Sequence, residues 1–369
     1  MAPNAPLAVF SVSLLPFPLS YVLNTQSWVK DPTVILGVGI AVLILVLGAT
    51  YSVVRRVRKP DFILYFMSLF MFSSMIDLII AFEADGILSE FMGFYLKDGE
   101  PYLWTPYGTM INYWDGTVHY GLCIWILYCV HRGWSYRKVG LYWCGSITNS
   151  VIVLLLGSVC GKFGVKPAIY LNLIYLAIPV WIAFKLLQQR QNDSRAITVS
   201  SNANIWNRPL DCVFIVYLLG AVAVDLFRGF IALGCTEALM QEYLYDHEPY
   251  IMHPIAYPKI QMLVYMYYFV PFYVCAIYGL LRPGQTWLGD WTLIVAGAAA
   301  QGQFSHIGAS LHPRTEPEFH VPAREHSRNI FWLLNIGLFV LPHMFAFNIN
   351  LCNRNASSTS RKRNMGKNN

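Results

Sequence analysis

Residues 111–130 read INYWDGTVHYGLCIWILYCV, an apolar run of helix length interrupted by one carboxylate and one imidazole. Asp115 and His119 stand four residues apart, so on a helix they share a face. An unpaired carboxylate at mid-membrane costs about 2.5–3.5 kcal/mol even on lenient scales, so the pair must face something polar. Two kinds of chemistry suit it. A carboxylate beside an imidazole can accept and deliver a proton near neutral pH. Equally, the two can hydrogen-bond helices together, a contact worth about 1 kcal/mol. A zinc site would need a third ligand at helical spacing, which the sequence does not supply, so no metal and no cofactor is expected. Similar residues punctuate other apolar runs: Asp77 in IDLIIAF, Asp225 and Arg228 in VDLFRGF, and Gln303 and His306 in QFSHIGASLH. Arg228, three residues after Asp225, is expected to neutralise it along one helix. His306, near the end of its run, is expected to cap the helix or reach water.

The elements that must position these residues are membrane helices. Of 369 residues, 56% are hydrophobic and 12% charged, against roughly 25% charged in soluble domains. A window of about 20 apolar residues picks out ten spans: Pro6–Leu23, Val34–Val54, Phe62–Phe82, Ile111–Val130, Val139–Val159, Ala168–Leu187, Leu210–Leu233, Ile260–Leu281, Trp291–Leu311 and Ile330–Asn350. The first lacks a basic leader and reads as an uncleaved helix, with Pro16 and Pro18 interrupting it. With both termini in the cytosol, seventeen of the 26 Lys and Arg fall on the cytosolic side, eight opposite, and Arg228 within a span. That excess favours this orientation. The RRVRK and RKR clusters are then topology signals, and no nucleic acid is expected as a partner. The sequons at Asn192 and Asn355 lie on the cytosolic side and should stay unmodified. Eight cysteines without C-x-x-C spacing form no disulfide framework, although Cys160 and Cys235 share the non-cytosolic side.

Two loops on that side resemble each other. FYLKDGEPY (94–102) and EYLYDHEPY (242–250) each follow a helix bearing IDL or VDL, and Asp77/Asp225 and Glu100/Glu248 are both 148 residues apart. Asn172 and Asn335 each stand seven residues before a proline, Pro179 or Pro342. The chain therefore reads as an N-terminal helix pair (1–60), a four-helix unit (61–187), a cytosolic linker (188–208), a second four-helix unit (209–351) and a basic cytosolic tail (352–369). Four spans per unit, an even number, make the copies parallel. The EPY loops should turn at the mouth of each unit, a proline holding the preceding Glu out of helix.

A four-helix unit with an acidic residue on its first helix, an EPY loop and an Asn-to-Pro motif on its last helix resembles the EXPERA domain. That domain builds the sterol 8,7-isomerase (emopamil-binding protein), the sigma-2 receptor and the transmembrane 6 superfamily. Two such units behind a helix pair, with GEPYL, YWDGTVHY, GLYW, AYPKIQML and LFRG, are similar to the last group, its member 1 or member 2. PKIQML and SHIGASLH lean toward member 1. The resemblance covers nearly the whole chain. It implies an all-α polytopic membrane protein of about ten transmembrane helices, with two parallel EXPERA repeats. It also implies a sterol- or lipid-binding protein of lipid metabolism in endomembranes: endoplasmic reticulum first, then the ER–Golgi intermediate or lysosomal membrane. Protein partners from lipid metabolism are implied as well.

In the isomerase a ring double bond moves through a carbocation, which needs an acid, a base and groups that hold the cation. Carried over by position, the resemblance offers Asp77, Asp115 and His119 as catalytic candidates. Asn172, Tyr175, Asp225, Tyr265, Gln303 and Asn335 are implied ligand-binding residues, with Tyr265 at the position of Asp115. Ala81 and Gly229 stand where the family has a carboxylate one turn after its first-helix His, and Tyr175 and Leu338 where it has Trp. An 8-ene to 7-ene sterol isomerase and a non-enzymatic lipid sensor, chaperone or scaffold regulating lipid export and lipid-droplet content are the two readings. Asp115 and His119 are expected to face Asp77 and Asn172 across the ligand chamber, with helix glue as the alternative for the pair; the non-enzymatic reading keeps the chamber and loses the acid–base set. A solute transporter is a third option, since paired repeats with buried charges suit transport.

Overall fold

The computed structural model describes residues 5–57, 60–193, 205, 208–282 and 284–365, without the side chains of 190–193 and 351–365. The side chains of Asn192, Cys352 and Asn355, those of the basic tail, and most of the linker thus lie outside what is described. Among the described residues all regular structure is helical. The first apolar stretch breaks into α1 (Ala5–Val12) and α2 (Pro16–Asn24). The break falls where Pro16 takes the first-turn position that a missing N–H tolerates. Asp31 then caps α3 (Pro32–Val54), accepting from the Thr33 and Val34 amides.

The first unit consists of α4 (Ile63–Ala84), α5 and α6 (Pro106–Trp114 and Tyr120–Arg132) with a π segment at Asp115–His119 between them, α7 (Arg137–Cys160) and α8 (Ile169–Asp193). The second consists of α9 (Pro209–Ala232), a short helix α10 (Ala238–Asp246), α11 and α12 (Tyr257–Val264 and Val270–Leu281) with a π segment at Tyr265–Phe269, α13 (Leu288–Leu311) and α14 (Glu325–Met365). Asp115 and Tyr265 each open a π segment, the wide turn that inserts one residue into a helix and re-aims its face.

Among the described residues, eight helices are long and apolar enough to cross a membrane. The two expected spans that fall short of that apolarity are α5–α6 and α13. The reason is where they sit. Helix α13 packs against α7, α14 and α5 at the middle of the molecule, and Asp290, Gln301, Gln303, Ser305 and His306 are all buried there. A helix enclosed by protein can carry polar residues that a lipid-facing helix cannot. Helix α8 also runs past the expected boundary at 187, to Asp193.

Helices α7 and α13 make the seam between the units. A Cβ on Gly145 would stand 1.9 Å from the Ile294 carbonyl oxygen, and one on Gly297 2.0 Å from that of Tyr142, so only glycine permits this backbone approach. Polar side chains lock the seam: the Asn149 amide donates to Gln301 (2.5 Å) and to Gln261 (3.1 Å), which also accepts from the Tyr107 hydroxyl (3.2 Å). Ion pairs clamp its two ends, Arg137 to Asp290 (2.7 and 2.8 Å) and Arg314 to Asp85 (2.9 Å).

Candidate functional site

Helices α2 and α3 do not pack flush on the first unit. Between them and α4 and α8 lies a cleft, open on one side, that encloses about 140 Å³; this is below the roughly 300–1,000 Å³ of a fully enclosed ligand site, so a lipid-sized ligand fits only with part of its body beyond the enclosed space. Leu19, Leu23, Val38, Leu43, Ile76 and Leu171 make its apolar walls; Asp77, Tyr95, Glu100, Asn172 and Tyr175 make its polar end. Asp77 makes no hydrogen bond or ion pair among the described residues and faces this space. Glu100 gets there through its backbone. At φ −133°, ψ 73° it stands outside any helix, and Pro101 then opens a tight turn, Pro101–Trp104, after which Thr105 caps α5. The carboxylate is thereby turned inward and is only 3% exposed. It accepts from the Tyr95 hydroxyl (2.8 Å), the Asn172 amide (2.7 Å) and the Tyr102 hydroxyl. Burial raises its pKa despite these donors.

The expectation that Asp115 and His119 face Asp77 and Asn172 across this chamber is met only in that the Asp115 and Asp77 carboxylates lie close enough to interact by charge. Both belong to the π segment, and neither is among the residues bordering the cavity. His119 Nδ1 lies 2.7 Å from Asp115 Oδ1. Its Nε2 meets Ser146 (2.7 Å) and accepts from the Trp114 indole (3.2 Å), while Ser150 donates to Asp115 (3.2 Å). The pair is thus turned to α7, where two serines complete it. Asn172 is engaged by Glu100 instead.

The second unit repeats part of this arrangement. Glu248, at φ −137°, ψ 59° before Pro249, is 0% exposed and accepts from Tyr243 (2.9 Å) and Asn335 (2.7 Å). Here the expected pairing along α9 is corrected: Arg228 bonds directly to Glu248, at 2.6 Å, and keeps only a longer-range charge interaction with Asp225. A guanidinium bonded to the loop carboxylate gains a charge-assisted hydrogen bond. Both Asp225 oxygens are left without a hydrogen-bond partner, although the residue is 1% exposed. His306 does not reach water; it is fully buried, 3.5 Å from Glu248. Gln303 and Tyr265 are buried, with the Gln303 Oε1 and the Tyr265 hydroxyl unpartnered.

Ala81 and Gly229 have a packing reason for lacking a carboxylate. Ala81 is fully buried, and a Cβ on Gly229 would fall 2.5–2.9 Å from the Met266 side chain. Sequence reasoning missed Glu100, Tyr95 and the N-terminal pair as parts of the site. The signal for Glu100 was present: the two echoes, EPY and Asn-x6-Pro, are one device, since each Asn donates to each Glu. No signal pointed to α2 and α3, whose apolar sequences suit lipid and protein contact alike.

A family model described as "Transmembrane 6 superfamily member 2-like, transmembrane domain" matches residues 15–197. The human protein named "Transmembrane 6 superfamily member 2" is 39% identical over 350 residues, 93% of this chain and 92% of its own. The chain belongs to the transmembrane 6 superfamily. The mouse and rat proteins of the same name are 38% and 39% identical, each over 91% of this chain and 90% of their own. These matches are to member 2; the strings PKIQML and SHIGASLH lean toward member 1. No solved structure matches this superfamily chain. The family model spans α2 through α8, the stretch that builds the cavity of this superfamily member.

Proposed function

We propose that this protein binds a sterol or another lipid of similar bulk in the cavity between its N-terminal helix pair and its first four-helix unit, and acts in lipid metabolism in an endomembrane, the endoplasmic reticulum first. The observation that carries this reading is the cavity itself: aliphatic walls from four helices and a polar end made by Asp77, Glu100, Asn172 and Tyr175. Such a shape suits an apolar body with one polar group. Residues 61–187 and 209–351 are read as two EXPERA-like copies, supported by the matched Tyr–Glu–Asn contacts.

Binding without turnover is the reading the geometry favours. Isomerisation needs a proton delivered and another removed, and the Asp115–His119 pair is turned to Ser146 and Ser150 rather than to the cavity. A second reading, an 8-ene to 7-ene sterol isomerase, is kept by one observation: two carboxyls, Asp77 and Glu100, border the same space. Mass spectrometry of lipids extracted from the purified protein tests the first reading. A stoichiometric sterol or lipid that is lost in Asp77→Ala and Asn172→Ala is expected; a lipid content equal to that of the detergent blank overturns it. Conversion of an 8-ene sterol in cells without their own isomerase would establish the second reading.

A further inference from the structure

The two units share two donors on their loop carboxylates, Tyr95 and Asn172 on Glu100 and Tyr243 and Asn335 on Glu248, at 2.7–2.9 Å; Glu100 also accepts from the Tyr102 hydroxyl, whereas the hydroxyl of Tyr250, 148 residues later, has no hydrogen-bond partner. Their first helices both carry an aspartate, Asp77 and Asp225. Three residues further on the copies diverge: Ile80 in the first, Arg228 in the second. Ile80 borders the cavity, and among the described residues no cation meets Glu100. In the second unit the Arg228 guanidinium, 0% exposed, lies against Glu248 Oε1 at 2.6 Å and Asn335 Oδ1 at 3.3 Å. That oxygen, Oε1, also receives the Asn335 amide; Glu100 Oε1 receives the Asn172 amide and the Tyr102 hydroxyl, so it is Oε2, which accepts from Tyr95, that has room for a further donor. The charge states follow. Arg228 holds the Glu248 carboxyl down at about 2, whereas burial raises that of Glu100.

We propose that the second unit is occupied by its own side chain: the Arg228 guanidinium fills the place that a ligand's hydrogen-bond donor takes beside Glu100 and Asp77, so the chain carries one lipid and not two. This rests on the lipid-binding reading for the ligand, though not for the role of Arg228. The guanidinium is the internal template for the missing group. It defines the ligand's head as a donor, a hydroxyl or an ammonium, set on an apolar body that fits between α2, α3, α4 and α8. A buried carboxylate whose neighbours offer only neutral donors gains most from such a group.

The test labels the full-length protein in membranes with two photoreactive sterols, one with its free hydroxyl and one with an amine in its place, and maps the labelled peptides. One label per chain, confined to the first unit, is expected, and the probe that labels better identifies the head. Ile80→Arg writes the second unit's residue into the first. It should reduce labelling by about tenfold or more, the effect of losing about 1.4 kcal/mol of binding or more. It should also raise the melting temperature, and Glu100→Gln should abolish that rise. Arg228→Ile makes the reciprocal change and should add a second label on α9 or α14 peptides. Labelling of both units in the wild-type protein overturns the proposal, as does a folded Ile80→Arg protein that labels like wild type. If the wild-type protein takes neither probe, the lipid reading falls, and the thermal comparison still decides the role of Arg228. A melting temperature lowered equally by Ile80→Arg with and without Glu100→Gln would show that no guanidinium site exists beside Glu100.

Discussion

Glu100 and Glu248 show how one neighbour decides what a buried carboxylate does. Glu248 is ionised against Arg228, its pKa lowered from the ordinary 4.5 to about 2. Its stabilisation is therefore complete above about pH 4.5 and drains away as the pH falls toward 2, because the unfolded chain takes up the proton first. Glu100, raised by burial, has the opposite sign: its contribution is most favourable below about 4.5 and declines as the pH rises through its higher folded value. Melting curves in detergent should separate the two. Glu248→Gln leaves Arg228 buried without its counter-charge and should cost about 3–5 kcal/mol at neutral pH, while flattening the acid limb. Glu100→Gln strands no cation and should change stability by about 1 kcal/mol or less. A steeper loss for Glu100→Gln would contradict this account. Asp115 and His119 belong to the same scale. Asp115→Asn and His119→Gln keep hydrogen-bonding groups for Ser150 and Ser146, and a neutral amide is cheaper to bury than a carboxylate. Both variants should fold and retain bound lipid; lost binding in a folded variant would return the pair to the chamber.

Helices α5–α6 and α11–α12 are each bent to purpose by a five-residue π segment, which in the first unit aims Asp115 and His119 at α7. The seam between α7 and α13 depends on closeness. At Gly145 and Gly297 an added Cβ meets backbone oxygen, which cannot rotate aside as a side chain can. Gly145→Val or Gly297→Val should therefore force the helices apart at a cost of about 1–3 kcal/mol or more and strain the Asn149–Gln261–Gln301 contacts beside them. A cysteine crosslink engineered across the seam reports this directly, and efficient crosslinking in the valine variants would refute it. Gly229→Ala should behave similarly on a smaller scale, because Met266 can partly yield.

Across the whole molecule, the ion pairs Arg137–Asp290 and Arg314–Asp85 tie the units at opposite ends of the seam. Orientation in the membrane is a separate matter, decided by loop charge. Epitopes at either terminus should both be reached after permeabilising the plasma membrane alone. A sequon engineered into 86–99 should be glycosylated, and Asn192 should not be. Glycosylation of Asn192 would reverse the orientation or change the number of crossings.

Composition and window hydropathy alone determined that the protein is helical and membrane-embedded, because an apolar run of twenty residues has few other stable states. The constant offsets between Asp77 and Asp225 and between Glu100 and Glu248 pointed to matching positions in the two halves, where the same Tyr–Glu–Asn contacts recur. The partner of each polar group was not legible. Sequence spacing places Arg228 beside Asp225, but the loop carrying Glu248 arrives from elsewhere and outbids the helical neighbour by burying an ion pair at 2.6 Å. Spacing likewise put Asp115 and His119 on one face, yet the π segment decided which helix that face meets. The cavity is wholly tertiary: it exists because α2 and α3 stand off from α4 and α8, and no local pattern encodes a gap.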